Sequence, residues 1–311
     1  IKKKSWNNPL GFLKKGMLEY GDTVEEIFVD ILKEKTYYPT TDEQTAGEVF
    51  KSEVPDIYAV FHKINRQGKF PVTVSRPQLR RAFTSPRALE DFINNTIDNL
   101  IKSDNLAEFE YTKDLMKVYE ERGLFYEVPI TVPTDRATTD LLLEKVKDYS
   151  TKFTFLSRKY NAFGVMNHAD LSDMVLIISS TLNAKIDVQS LANAFNLDKV
   201  EFLPRKIVLD EMPGGKDSHL ILASKDWFMI HDALFEMQDI LNPNTLEMKF
   251  LLHHHQVMST SRFENAILFT SKTIADPTTL ELTNSTTDNK VSKGHTVKFS
   301  TLIKDTAGET D

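Results

Sequence analysis

The chain of 311 residues contains no cysteine, which excludes disulfides and thiolate metal centres and fits a reducing compartment. Long apolar runs are missing too. The longest, MVLIIS at 174–179, is far short of the roughly 20 residues that a membrane-spanning helix needs, so a soluble chain without membrane contact is expected. Basic excess is also absent. With 38 Lys and Arg against 45 Asp and Glu, the formal net charge is -7, whereas a dedicated nucleic-acid binder needs a net basic face to neutralise phosphates. No HExxH, GxSxG or paired-carboxylate motif occurs, and scattered Ser, His and Asp residues without such spacing are what chance supplies. Neither an enzyme nor a cofactor is expected. The chain opens with IKKKSW, without an initiator Met or an apolar signal region, as a fragment of a longer product would.

What remains is an ordinary globular composition, 41% hydrophobic and 27% charged, in a chain long enough for two or more subdomains. Residues 20–35, YGDTVEEIFVDILKEK, place Val24, Ile27, Phe28 and Ile31 at helical spacing yet alternate in part as a strand does. Pattern alone leaves both readings open. The polar stretch 37–48 follows, and from 56 to 77 a period of two takes over, with Tyr58, Val60, His62 and Ile64 alternating against Ala59, Phe61 and Lys63. The first 78 residues thus form a long excursion with little core of its own.

Two successive helices are predicted next. The first has Ser85 as cap, Pro86 at its first position and Leu89, Phe92, Ile93, Thr96, Ile97, Leu100 and Ile101 at steps of three and four; the second starts near Asp104 and stops at Gly123. A strand at 124–132 carries Pro129 and is followed by Pro133, both of which favour a sheet edge. A third helix begins near Asp135 to Thr138 and carries Leu142, Val146 and Tyr149. Beyond Tyr160, the short apolar strands MVLIIS, KIVLDEM (206–212), HLILAS (219–224) and WFMI (227–230) surround an amphipathic helix at 187–195. From Lys272 the chain is rich in Thr and Ser, with LELTNS and HTVKFSTLI as two expected strands around VSKG.

Three stretches invite a chemical reading. In TLEMKFLLHHHQVMST the alternation of Leu246, Met248, Phe250 and Leu252 against Glu247 and Lys249 makes a strand, so His253 and His255 share a face that His254 opposes. No carboxylate or further His stands at a recognised ligand spacing, and structural or interface histidines are the simpler reading; a histidine-dependent metal hydrolase would require stoichiometric metal. PGGK (213–216) lacks the first glycine of a phosphate loop and a Ser or Thr after its lysine, and reads as a surface loop. KKK at 2–4 and KK at 14–15, with Trp6 and Phe12 between them, read as an arm that reaches acidic surface on a neighbouring subunit, with nucleic-acid contact as the alternative.

The blocks NNPLGFLKKG (7–16), TVEEIFVDILKEK (23–35), FHKINRQGKF (61–70), DVQSLANAFN (187–196), KDWFMIHD (225–232) and SRFENAILFTS (261–271) closely resemble, in this order, the major capsid proteins of small short-tailed bacteriophages of the Picovirinae type. The resemblance covers residues 5–271. It implies an α+β fold of the Hong Kong-97 type: an N-terminal arm (1–19), an extended loop (20–78), a peripheral domain with spine helices (79–159), an axial domain (160–250) and return strands to the peripheral domain (251–271). Residues 272–311 resemble the start of a bacterial immunoglobulin-like domain, although a full sandwich needs about seven strands and roughly 100 residues.

The function so implied is self-assembly into pentamers and hexamers of a head shell around double-stranded DNA. No specific DNA binding is expected, and scaffolding, portal and other head proteins are the expected partners. The place is the virion, assembled in the bacterial cytoplasm. The competing reading is a virion adhesin whose immunoglobulin-like tail recognises a host surface. In the capsid reading Val24, Ile27, Phe28, Ile57 and Phe61 are buried between subunits, because only neighbours can repay the ordering of so long an excursion. Glu25, Glu26, Lys33, Lys35, Lys63 and Arg66 are then the candidates for charge pairs that set register.

Overall fold

The computed structural model describes residues 6–34, 54–75, 86–186 and 205–272, together with the strand pair 279–284 and 299–304. Its first half runs β1 (Lys14–Met17), β2 (Thr23–Val29), β3 (Ile57–Lys63), β4 (Arg66–Ser75), α1 (Pro86–Glu121), β5 (Tyr126–Pro129) and α2 (Arg136–Phe153). Then come β6 (Met174–Ser179), α3 (Ser180–Lys185), β7 (Arg205–Leu209), β8 (Ser218–Ser224), β9 (Phe228–Asn242), β10 (Glu247–Thr260), β11 (Ala266–Thr270), β12 (Thr279–Asn284) and β13 (Phe299–Lys304). Two larger sheets result, ordered β5-β11-β8-β6-β7 and β1-β9-β10-β4, beside the two-stranded pairs β2-β3 and β12-β13.

The five-stranded sheet is apolar on both faces because helices cover both. Val175 and Ile177 of β6, Ile221 and Ala223 of β8 and Ala266 and Leu268 of β11 pack toward Phe109, Met116 and Tyr119 of α1. The alternate residues Leu176, Ile178, Leu220, Leu222, Ile267 and Phe269 pack toward Leu142, Val146 and Phe153 of α2. A period of two with both faces buried yields the unbroken apolar runs seen in the sequence. β5 sits at the sheet edge, paired with β11 in parallel, where its proline is tolerated. α2 opens with a capping box in which the Asp135 carboxylate accepts from the Thr138 N–H.

α1 is one continuous helix of 36 residues, about 54 Å long, where two helices were expected. The second helix is expected to start near Asp104. Here the Asp104 carboxylate is taken by Arg66 and His254 from the neighbouring sheet, so it does not compete for the local backbone and the helix runs through. It ends where expected: Gly123 adopts φ 62°, and its N–H donates to Glu120 while that of Leu124 donates to Tyr119, closing the last turn. Ile93, Ile97 and Leu100 lay this helix on Val74, Phe250 and Leu252 of the four-stranded sheet.

Within the ambiguous segment at 20–35, Thr23–Val29 is a strand and no described residue is helical, and Trp227 of WFMI ends a 3₁₀ turn from which a strand runs from Phe228 to Asn242. The expected boundaries at 250 and 271 do not coincide with the sheets. Residue 250 lies inside β10, β9 of the supposed axial segment pairs with β10, and β11 joins β8 and β6 rather than β10. PGGK is a loop between β7 and β8. In the tail, β12 and β13 pair antiparallel from Thr279↔Lys304 to Asn284↔Phe299; one such pair is not a sandwich. The expected Ser85 cap, the helix at 187–195 and VSKG lie outside the described residues. No described helix is long and apolar enough to cross a membrane.

Candidate functional site

The β2-β3 pair divides its side chains by parity. Phe28 stacks 5.6 Å from Phe263, Tyr58 lies 4.8 Å from Phe163, and the His62 ring bridges Ser259 Oγ at 2.7 Å and Glu26 Oε2 at 3.1 Å. Ser261 Oγ donates to the other oxygen of Glu26 at 2.5 Å. One face of the pair is therefore fixed to its own subunit. The other face carries Ile27, Val29, Ile57 and Phe61 at 59%, 54%, 58% and 58% exposure, with Val29 opposite Ile57 and Ile27 opposite Ala59 across the strands. Ile31, Leu32 and Val54, beyond the ends of these strands, are also exposed. A cleft of about 520 Å³ lies between β3 and α1, with Val60, Leu115, Val118 and the two arginines Arg122 and Arg262 on its walls.

The expected contact residues thus fall into groups. Ile27, Ile57 and Phe61 share the open face, with Glu25 and Lys63 beside them and Lys33 exposed further along. Val24 and Phe28 are half-buried and turned inward, and Glu26 is held by His62 and Ser261. Lys35 lies outside the described residues. Arg66 is a clear correction. It is 6% exposed, the first residue of β4, and its guanidinium meets Asp104 at 2.6 Å, Gln256 and Glu108 inside the subunit, so it is no surface charge.

Arg66 belongs to a buried ionic seam between α1 and the four-stranded sheet. Asp104 and Glu108, one turn apart on α1, face His254 and Gln256 of β10, Asp232 of β9 and Lys14 of β1. Lys14 Nζ stands 2.7 Å from Glu108 and 3.2 Å from Asp232, Gln256 Nε2 donates to Glu108 and Asp232, and Asn8 adds a hydrogen bond to Glu108 at 3.1 Å. Burial alone would raise the Asp232 carboxyl, but hydrogen bonds from His254 and Gln256 and the Lys14 charge hold it well below its ordinary value. Asp104, Glu108 and His254 approach closely enough to hold a cation, yet Arg66 already pairs with Asp104 and Lys14 with Glu108. Sequence spacing hides the seam, since Asp104 and His254 are 150 positions apart. His253 and His255 are half-buried on the opposite face from His254, as strand alternation requires.

A family profile described as Phi29-like phage major capsid protein matches residues 1–270. The chain belongs to this family. It is 33% identical over 305 residues to the major capsid protein of Bacillus phage GA-1, covering 97% of this chain and 64% of that protein. Its identity to the major capsid protein of Bacillus phage B103 is 38% over 272 residues, covering 86% of this chain and 60% of that one. The chain therefore spans less than two thirds of the length of either relative. The capsid structure of Staphylococcus phage Andhra superposes with a TM-score of 0.71 over 88% of this chain and 86% of that chain, at 13% identity. The α+β architecture is thus that of the Hong Kong-97-like phage capsids, and membership of a Phi29-like capsid family displaces the adhesin reading.

Proposed function

We propose that this chain is a shell-building subunit that assembles as pentamers and hexamers into a phage head around double-stranded DNA. The observation that carries this reading is the β2-β3 pair, anchored on one face and apolar on the other, in a chain of the Phi29-like capsid family. Covering four half-exposed side chains stabilises a contact by on the order of 1 kcal/mol each. Repetition around closed rings multiplies a contact that is modest in one copy. Glu25 and Lys63 flank this face and act on register and partner choice more than on affinity. The extended loop then comprises β2, β3 and the segment between them, while β4 belongs to the body of the subunit. Scaffolding and portal proteins are the further partners in this reading, and the virion is its place. The tail beyond residue 270 lies past the matched family region.

The test is electron cryo-microscopy of the full-length protein co-expressed with its scaffolding partner. Closed shells with five-fold and six-fold capsomers, and residues 57–63 lying across a neighbouring copy, are the expected outcome. Small oligomers of fixed number, formed even with the partner present, would overturn the reading.

A further inference from the structure

His254 of β10 is fully buried, and both of its ring nitrogens face carboxylates. Nδ1 lies 2.6 Å from Asp104 Oδ2 on α1, and Nε2 lies 3.0 Å from Asp232 Oδ1 on β9. A neutral imidazole has one N–H and one lone pair, so a neutral ring would set a lone pair against a carboxylate oxygen at hydrogen-bond distance. With both carboxylates ionised, only the imidazolium satisfies both contacts. Charge balance gives the same answer. The seam holds three carboxylates, Asp104, Glu108 and Asp232, and two other cations, Arg66 from β4 and Lys14 from β1. A proton on His254 supplies the third positive charge. The edge of the Phe235 ring, 5.0 Å away between centroids, and the Gln256 amide complete the surroundings.

We propose that this seam is a pH-sensitive joint: a buried imidazolium at His254 clamps α1 to the four-stranded sheet, and loss of that proton loosens the clamp. Deprotonation leaves the seam one negative charge in excess and sets an imidazole lone pair against one carboxylate oxygen, both costly in a buried site. Burial by itself pulls His254 downward, but its hydrogen bonds to Asp104 and Asp232 and their charges outweigh this and hold it above the ordinary value of 6.5. A histidine raised in the folded state contributes stability that is fully present below its unfolded value and is lost as pH rises through the folded one. The joint is therefore closed in mild acid and near neutrality and opens in alkali.

The decisive measurement is nuclear magnetic resonance of the unassembled full-length chain labelled with ¹⁵N-histidine, titrated from about pH 5 to about pH 9. The His254 signal is assigned by its loss in His254→Gln. Two protonated ring nitrogens and a titration midpoint above the ordinary histidine value are expected. A neutral tautomer at neutral pH, or an ordinary midpoint, overturns the proposal. Amide hydrogen exchange across Leu100–Thr112, corrected for intrinsic rates, reads the joint itself. Exchange in the native chain should accelerate with pH, by up to about tenfold per unit between the unfolded and folded midpoints, whereas His254→Gln should exchange fast at both ends of the range. Protection of α1 that does not vary with pH would overturn the clamp even if His254 titrates high.

Discussion

Histidines in this chain carry opposite pH signatures according to what surrounds each ring. His254 is raised by its paired carboxylates, whereas His219 is lowered by burial, and His231 by burial and then by Lys15 and His62. A lowered histidine contributes stability that is present above the unfolded value and lost as pH falls toward the folded one. Thermal unfolding should therefore peak near pH 6.5, the unperturbed value, and decline on both sides for different reasons. In calorimetric scans His254→Gln should abolish the alkaline decline, and the pair His219→Asn and His231→Asn should flatten the acid one. An alkaline limb that survives His254→Gln would assign it to another group. Arg66 gives a second residue-scale expectation. Removing one partner of a buried ion pair costs about 3–5 kcal/mol, so Arg66→Ala should lower the urea midpoint far more than Lys63→Ala on the exposed face of β3. Equal, small effects would contradict the buried placement of Arg66.

At the scale of elements, β2 places adjacent residues in opposite roles. Ile27→Asp changes an exposed side chain, so the isolated subunit should keep its stability to within about 0.5 kcal/mol while losing the ability to form shells. Phe28→Asp buries a charge against Phe263 and should destabilise the subunit itself by on the order of 2 kcal/mol. Circular dichroism melts paired with electron microscopy of the assembly products separate the two outcomes. An Ile27→Asp subunit that assembles normally would remove this face from the contact. The alternation that sorts these residues was legible in β3, where Tyr58, Val60 and His62 oppose Ala59, Phe61 and Lys63, and in the doubly buried MVLIIS. It was ambiguous in β2, where Glu25 and Glu26 interrupt the apolar rhythm on both faces. The outer half of β9 was invisible because residues 235–242 are exposed on both faces, and a strand without a buried face leaves no hydrophobic period. The continuity of α1 was misread at Asp104 for a related reason: its carboxylate serves a partner supplied by the sheet, and one-dimensional spacing holds no record of that partner.

The whole molecule weaves its two sheets from interleaved parts of the chain. β8 lies in one sheet and β9 in the other with a single 3₁₀ turn between them, and β10 and β11 divide in the same way. Domain boundaries drawn as contiguous intervals could not follow such a path, although the fold class and the order of the main elements could be read. Net charge is the property that survives this weaving, because it does not depend on connectivity. A chain with a formal charge of -7 repels a polyanion at long range, and exposed charges act over a Debye length of about 8 Å at physiological salt. Non-specific DNA binding arises from phosphate neutralisation and has dissociation constants of about 10⁻⁴–10⁻⁶ M for proteins built for it. The full-length subunit should bind a labelled duplex no more tightly than the weak end of that range in fluorescence anisotropy, and what binding there is should vanish as salt is raised. In the proposed head, a lining of this kind would leave enclosed DNA free to slide as it enters and leaves. Micromolar, salt-resistant binding would instead point to a localised basic surface and to a lining that grips the genome.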